Sequence, residues 1–356
     1  MDPFAPHLTA VRRARVAALL GDTAATLLVA DRVNIRYLTG FDGTSGVLAL
    51  RTGGATLFTD SRYIEQAAYQ APGVALMQAR DPLRQAVAEH PHARVEGHAV
   101  SADQWMRLLG EHPDVRLAKD YVGQIRTGKD SAEVQALERA CTLSAQALQE
   151  VLADGVLGRT EREVARRLEW LLGQDDGEGP GFPSIVASGV HSSRPHHAPT
   201  NRRIEPGDLL TIDYGARVRG YHADITRTYI VGSDPLPWQR DLHGLVERAQ
   251  AAAMAAVLPG MAVARLDAAA RSIIADAGYG EYFGHGLGHG VGLDIHERPL
   301  IGSTSTGTID EAMAITIEPG VYLPGRGGVR IEDTVIVGPD GCRPLADLPR
   351  EILVVQ

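Results

Sequence analysis

The chain has 356 residues, of which 44% are hydrophobic, with a formal net charge of −9 and an isoelectric point near 5.8. That length suffices for two ordinary domains or one large one. The acidic balance, with no basic run and no basic patch interleaved with aromatics, excludes nucleic acid and anionic membrane surfaces as main partners.

The N-terminal stretch MDPFAPHLTAVRRARV has no apolar core behind its basic residues and does not read as a signal peptide. In the first third, ATLLVA (25–30), GVLAL (46–50) and GATLFTD (54–60) predict strands, and Arg12–Leu20, Tyr63–Tyr69 and Asp103–Leu109 predict helices. Alternation of this kind points to an α/β layer domain. At GQIRTGKDSAE the pattern changes. Asp130 and Glu133 have capping-box spacing and open a helix with Val134, Leu137, Cys141, Leu148 and Val151 on one face. Thr160 and Glu163 repeat the signal for a second helix. A domain boundary is expected near residues 120–128, giving domains 1–125 and 126–356.

Past residue 180 two hairpin-like segments flank two helical ones. The first hairpin is LLTIDYGARVRGYHADITRTYIV (209–231) and the second AITIEPGVYLPGRGGVRIEDTVIV (314–337). Between them lie helices over Trp238–Leu258 and Val263–Ala277, the latter stopped by Gly278. The longest apolar run, Ala251–Leu258, is far too short to span a bilayer. Of the two cysteines, Cys141 falls in an apolar helical pattern and Cys342 in a glycine-rich turn, and they form no CxxC pair. This usage fits a reducing compartment, so a cytoplasmic protein is expected.

The hairpin–helix–helix–hairpin order suggests two similar halves that bring strand carboxylates to a common centre. Asp213 and Asp224 sit in the first hairpin, Glu318 and Glu332 in the second, each inside an otherwise apolar run. A carboxylate in a buried strand is costly unless paired or bound to a metal. Between the hairpins, HGLGHGVGLDIHERP (285–299) gathers three histidines on too many glycines for a good helix, and reads as a loop. Four carboxylates and one imidazole suit two divalent ions sharing ligands, with manganese, cobalt or zinc favoured over a thiolate site. Two close metals can lower the pKa of a bridging water and polarise a carbonyl, which is hydrolytic chemistry.

The chain resembles the pita-bread metallopeptidases of the Xaa-Pro aminopeptidase (aminopeptidase P) and prolidase branch. The resemblance rests on NIRYLTGFDG, FTDSRY, IRTGKDSAEV, FPSIVASG, IDYGA, HADITRT, HGLGHGVGLDIHE, IEPGVY and GVRIED. It implies an N-terminal α/β creatinase-like domain followed by a C-terminal pita-bread catalytic domain, an α/β (α+β) class overall. It implies Asp213, Asp224, His289, Glu318 and Glu332 as metal ligands, with Asp224 and Glu332 bridging and Glu318 also shuttling a proton. His196 and His296 would face the substrate, His285 the proline side of the pocket, and Arg330 a ligand carboxylate or the substrate. Tyr322 is a weaker candidate. The glycines would let the histidine loop pass close beneath the substrate. His197 is expected at the surface or behind His196, His222 as structural, and His191 and His243 as exposed. The cofactors implied are two divalent ions, manganese first, and relatives of this kind imply a homodimer.

Proline-containing peptides are the implied substrates, since a tertiary amide stops many ordinary peptidases. An Xaa-Pro aminopeptidase is preferred over an Xaa-Pro dipeptidase (prolidase), because the N-terminal turn GFDGTSGV offers Asp42 and no base for a dipeptide's carboxylate. A separate N-terminal domain and the HGLGHGVGLDIHE pattern count against methionine aminopeptidase, and creatinase lacks this metal set. A catalytically dead binding module would have lost ligands, and all five are present.

Overall fold

The structure, a computed structural model, describes residues 1–21 and 25–356. It divides into two units, Asp2–Arg126 and Thr127–Gln356, with Met1 belonging to the second.

The first unit is built on a six-stranded mixed sheet. Its order is Ala75–Gln78, Gly54–Thr59, Val47–Arg51, Leu27–Val29, Arg94–Glu96 and Arg116–Ala118. The strands expected at 25–30, 46–50 and 54–60 are its centre, and the three expected helices appear as Pro6–Leu19, Ile64–Gln70 and Ala102–Glu111. Leu28, Val47, Ala49, Phe58 and Val95 of the sheet pack with Ala86, Val87 and Leu108 of the helices. The flanking strands, three or four residues long, carry too little alternation to be read from sequence.

In the second unit both capping boxes form. Asp130 accepts from the amides of Ala132 and Glu133 and starts the helix Ser131–Ala153, while Thr160 starts Glu161–Leu172. Cys141 is fully buried in the first of these helices. Both cysteines are free, and Cys342, expected in a turn, lies on the short strand Gly341–Pro344.

Two sheets carry the site. One runs Val354–Val355, Ile225–Val231, Leu209–Tyr214, Ile185–Ser188. The other runs Glu297–Ile301, Gly288–Gly290, Ala314–Ile317, Asp333–Gly338, Gly341–Pro344. The helices Pro237–Ala256 and Val263–Asp276 cover them. Leu242, Leu245, Val246, Ala249 and Ala253 repeat at three and four residues, so one stripe of the first helix meets Ile315, Ile317, Val335 and Val337. Gly278, just past the second helix, has φ +86°, the left-handed conformation that closes a helix end.

The glycine-rich segment differs from its expected form. It is not a free loop: His289 lies on the strand Gly288–Gly290, inside the five-stranded sheet. The glycines at 288 and 290 answer to neighbouring backbone. A Cβ on Gly288 would stand 2.1 Å from the Thr316 carbonyl oxygen, and one on Gly290 would stand 2.2 Å from that of Arg298. Only a residue without a side chain lets these strands approach so closely. Among the described residues no helix is long and apolar enough to cross a membrane.

Candidate metal centre

Strand register brings the carboxylates together. Asp213 lies one residue from the end of the strand Leu209–Tyr214 and faces Thr226 on the antiparallel neighbour, whose own chain enters through Asp224. Thr226 in turn bridges to Glu332, its carbonyl accepting from the Glu332 amide at 3.0 Å. Ile317 pairs with Asp333, which sets Glu318 and Glu332 at adjoining ends of two more strands. Thr334 Oγ1 donates to the Asp224 carbonyl at 2.8 Å and ties the two sheets at the same level.

His289 Nε2 lies 3.5 Å from Asp224 Oδ2 and 3.6 Å from Glu318 Oε1. Its Nδ1 is 2.9 Å from the Gly290 carbonyl oxygen. A carbonyl can only accept, so Nδ1 carries the hydrogen and Nε2 turns a lone pair toward the acids. Asp224, His289 and Glu332 offer ligand atoms that all lie within 4.8 Å of one another. Asp213 Oδ1 is buried with no hydrogen-bond partner.

The electrostatics are those of a cation site. Burial first, then Asp213 and Glu318, holds the Asp224 carboxyl well above the usual carboxylate range. Glu332 is raised by burial and by Asp224 and Asp213, and Glu318 by burial and by Glu332. Arg330 is the cation in direct contact. It is 3% exposed, and its Nη2 donates to Asp213 Oδ2 at 2.7 Å. Its Nε donates to Thr226 Oγ1 at 3.0 Å, and that hydroxyl donates to Glu332 Oε2 at 2.6 Å. One guanidinium among four carboxylates leaves an excess of buried negative charge and an unpaired oxygen. An oxygen-rich donor set with one imidazole lone pair therefore fits hard or borderline divalent cations.

The pocket beside this cluster encloses about 870 Å³ and is lined by Asp213, Asp224, His289, Glu318, Arg330 and Glu332 together with His196, His285 and His296. His196 and His296 are solvent-exposed within it, and the His296 ring stands edge-on to that of His289, with centroids 4.4 Å apart. Burial lowers the His285 pKa to about 4, so its ring is neutral. Its Nδ1 donates to the Gly286 carbonyl at 2.7 Å, and its Nε2 accepts from Tyr322 Oη at 2.9 Å. Tyr322 Oη accepts from Arg330 Nη1 at 2.8 Å, so one chain of bonds joins His285 to Asp213.

Two histidines expected at the surface are not there. His243 is 1% exposed, packed on the inward side of the helix Pro237–Ala256, and His191 is half-buried against Glu161. His197 is buried with its Nε2 on the same carboxylate, and His222 meets the Gly292 carbonyl away from the cluster. Sequence reasoning also missed groups that hold the histidine strand. Arg271, paired with the buried Asp267 at 2.7 Å, donates to the carbonyls of Phe283 and His285, while Asp267 accepts from the Leu287 amide. Lys129 and Glu297 form a buried pair at 2.8 Å next to His296. The i,i+4 spacing of Asp267 and Arg271 was a signal, but it is common on exposed helix faces.

A two-unit chain that gathers three buried acids, the partly exposed Glu318 and a buried imidazole beside a pocket, on sheets flanked by helices, has the build of a metal-dependent hydrolase. The chain belongs to metallopeptidase family M24, whose profile matches residues 135–339, and residues 12–125 match the creatinase/prolidase N-terminal domain. The pita-bread arrangement of the second unit and the creatinase-like first unit follow. The chain is 36% identical over 330 residues to an Xaa-Pro dipeptidase of Pyrococcus horikoshii, spanning 92% of this chain and 94% of that protein. Among solved structures it is similar to an Xaa-Pro dipeptidase from Bacillus anthracis, with TM-score 0.92, 32% identity and coverage of 97% and 99%. It is also similar to an X-Pro aminopeptidase from Thermotoga maritima, with TM-score 0.89, 33% identity and coverage of 96% and 99%.

Proposed function

We propose that the chain is an Xaa-Pro dipeptidase that works with two divalent cations, manganese before cobalt or zinc, held by Asp213, Asp224, His289, Glu318 and Glu332. The observation that carries the reading is the buried acid cluster, with its excess negative charge, its unpartnered Asp213 oxygen and the inward lone pair of His289. Bound there, such cations would supply an activated water and polarise the scissile carbonyl. The residues around them do the rest. Asp224 and Glu332, the most enclosed of the four acids, would be the acids that hold both cations. Glu318, with the most accessible side chain of the three acids in ion-pair contacts, is the one able to pass a proton to the leaving proline nitrogen. His196 and His296, exposed in the pocket, are donors to the substrate near the scissile carbonyl, and neutral His285 lines the proline side. Arg330 fixes Asp213 and, lining the pocket, is also the candidate to meet the substrate's carboxylate.

The sequence reading put longer peptides first. The Pyrococcus horikoshii relative and the Bacillus anthracis structure, both named Xaa-Pro dipeptidases, weigh toward dipeptides. One observation favours the second reading, an Xaa-Pro aminopeptidase: both arginines that line the pocket are held by carboxylates, Arg271 by Asp267 and Arg330 by Asp213. The test compares catalytic efficiency on an Xaa-Pro dipeptide and the matching Xaa-Pro-Yaa tripeptide, with manganese. A hydrogen-bonded charged contact contributes about 1.5–3 kcal/mol, which is roughly ten- to a hundredfold in rate. A dipeptide advantage of that size is expected; a tripeptide advantage makes the enzyme an aminopeptidase. A homodimer in the cytoplasm belongs to the same proposal and rests on the resemblance and on cysteine usage.

A further inference from the structure

Glu161 lies outside the acid cluster, at the start of the helix Glu161–Leu172, and its carboxylate is completely buried. Six donors converge on it. Oε1 accepts from the Ser188 amide at 2.9 Å, Ser188 Oγ at 2.8 Å and His191 Nδ1 at 2.9 Å. Oε2 accepts from His197 Nε2 at 2.9 Å, the Thr200 amide at 2.9 Å and Thr200 Oγ1 at 2.7 Å. Burial alone would raise its pKa, but the bonds from His197, Thr200, Ser188 and His191 together bring it down to about 2, so it is ionised at neutral pH.

A carboxylate flanked by two imidazoles has the residue types of a metal site. The bonding argues against one. Each oxygen already takes three donors, and a cation drawing on those lone pairs would strand buried N–H and O–H groups at about 1–3 kcal/mol each. The carboxylate instead ties down chain. Its donors come from both ends of the segment 188–200, and the rings of His191 and His197 lie against each other within it at 4.3 Å. His196 sits between the held His197 and Pro195, whose carbonyl accepts from Arg330 Nη1 at 3.3 Å. The middle of the segment is held as well, with Ser192 Oγ accepting from the Gly328 amide at 2.9 Å.

We propose that Glu161 is a positioning residue for hydrolysis: by gathering Ser188, His191, His197 and Thr200 on one buried carboxylate, it fixes the segment that presents His196 to the pocket. The inference rests on His196 acting on the substrate. Glu161 touches no pocket-lining acid and acts through that segment, including the His197 ring that also lines the pocket, so its loss should lower kcat while leaving metal content unchanged. Misplacing a reacting group by about 1 Å can cost on the order of a hundredfold.

The test is a double-mutant cycle in the manganese-loaded enzyme on an Xaa-Pro dipeptide, with E161Q, H196A and the pair, reading kcat, KM, bound manganese and melting temperature. Thr200→Val, which removes a single hydroxyl from the carboxylate, is measured alongside in case E161Q fails to fold. E161Q should lower kcat about tenfold or more with manganese retained, and Thr200→Val should do so in smaller measure. In the H196A background neither should lower kcat further, although each still lowers the melting temperature. Multiplied losses in the double variants would overturn the proposal and make Glu161 merely structural. Full activity of H196A would overturn the role of His196 and the inference with it, and is distinguishable because it appears in the single variant.

Discussion

Replacing Arg330 by methionine keeps the length of the side chain and removes the guanidinium that contacts the acid cluster. The residue is 3% exposed, so little solvent reaches the guanidinium in the native protein. Asp213 would lose its bond at 2.7 Å while its other oxygen already has no partner. Breaking a buried ion pair by removing one member destabilises by about 3–5 kcal/mol, and that is the loss expected with the metals chelated. Two divalent cations bring as much positive charge as the four acids bring negative, so the loaded enzyme should lose only the neutral bonds to Thr226, Tyr322 and Pro195, roughly 1 kcal/mol each and partly replaced by water. Urea denaturation in chelator and in saturating manganese measures both. The variant should lose about 2 kcal/mol more in chelator, and by linkage it should bind manganese more tightly by the corresponding factor, roughly tenfold or more. Equal losses in the two conditions, or weaker manganese binding, would refute the view that Arg330 stands against the charge that the cations neutralise.

Gly288→Ala places a methyl group 2.1 Å from the Thr316 carbonyl oxygen. Backbone cannot step aside cheaply, so a loss of about 1–3 kcal/mol is expected, with manganese binding weakened because His289 is the next residue; unchanged binding in a titration would count against the close-approach argument. His296→Ala should lower kcat by roughly a hundredfold, the usual scale for one lost donor, with an unchanged melting temperature because the ring is exposed; a large melting shift with little kinetic change would make the ring structural. Burial lowers the pKa of His243 to about 4. Its stabilising contribution is complete above the unfolded value near 6.5 and is lost as pH falls toward 4, about 2 kcal/mol by pH 5. His243→Gln should flatten that part of the stability–pH curve, and an unaltered curve would show that the ring is not held neutral.

The parts legible in sequence were those with a local cause. Capping boxes at Asp130 and Thr160 are written within four residues, and both helices start there. Apolar spacing marked the helices that cover the catalytic sheets, and acids inside apolar strands marked the cluster before any fold was known. What escaped had causes distant in sequence. Glycines at 288 and 290 read as a loop because the backbone that needs them, at Thr316 and Arg298, is supplied by other strands. His191 reads as exposed because its partner Glu161 lies on a separate element, and His243 because the strand it faces at Thr228 is remote in sequence. Glu161 carries no motif of its own in the first turn of its helix, and nothing nearby announces that Ser188 and Thr200 come to meet it.

The most direct test strips the enzyme with chelator and titrates manganese back while following Xaa-Pro dipeptide hydrolysis, in the wild type and in Asp224→Asn. Binding should saturate near two ions per chain, with hydrolysis rising alongside it, and Asp224→Asn should lose both together. Full hydrolysis in chelator, or an Asp224→Asn variant that keeps its manganese and its rate, would contradict a metal-dependent peptidase centred on these acids.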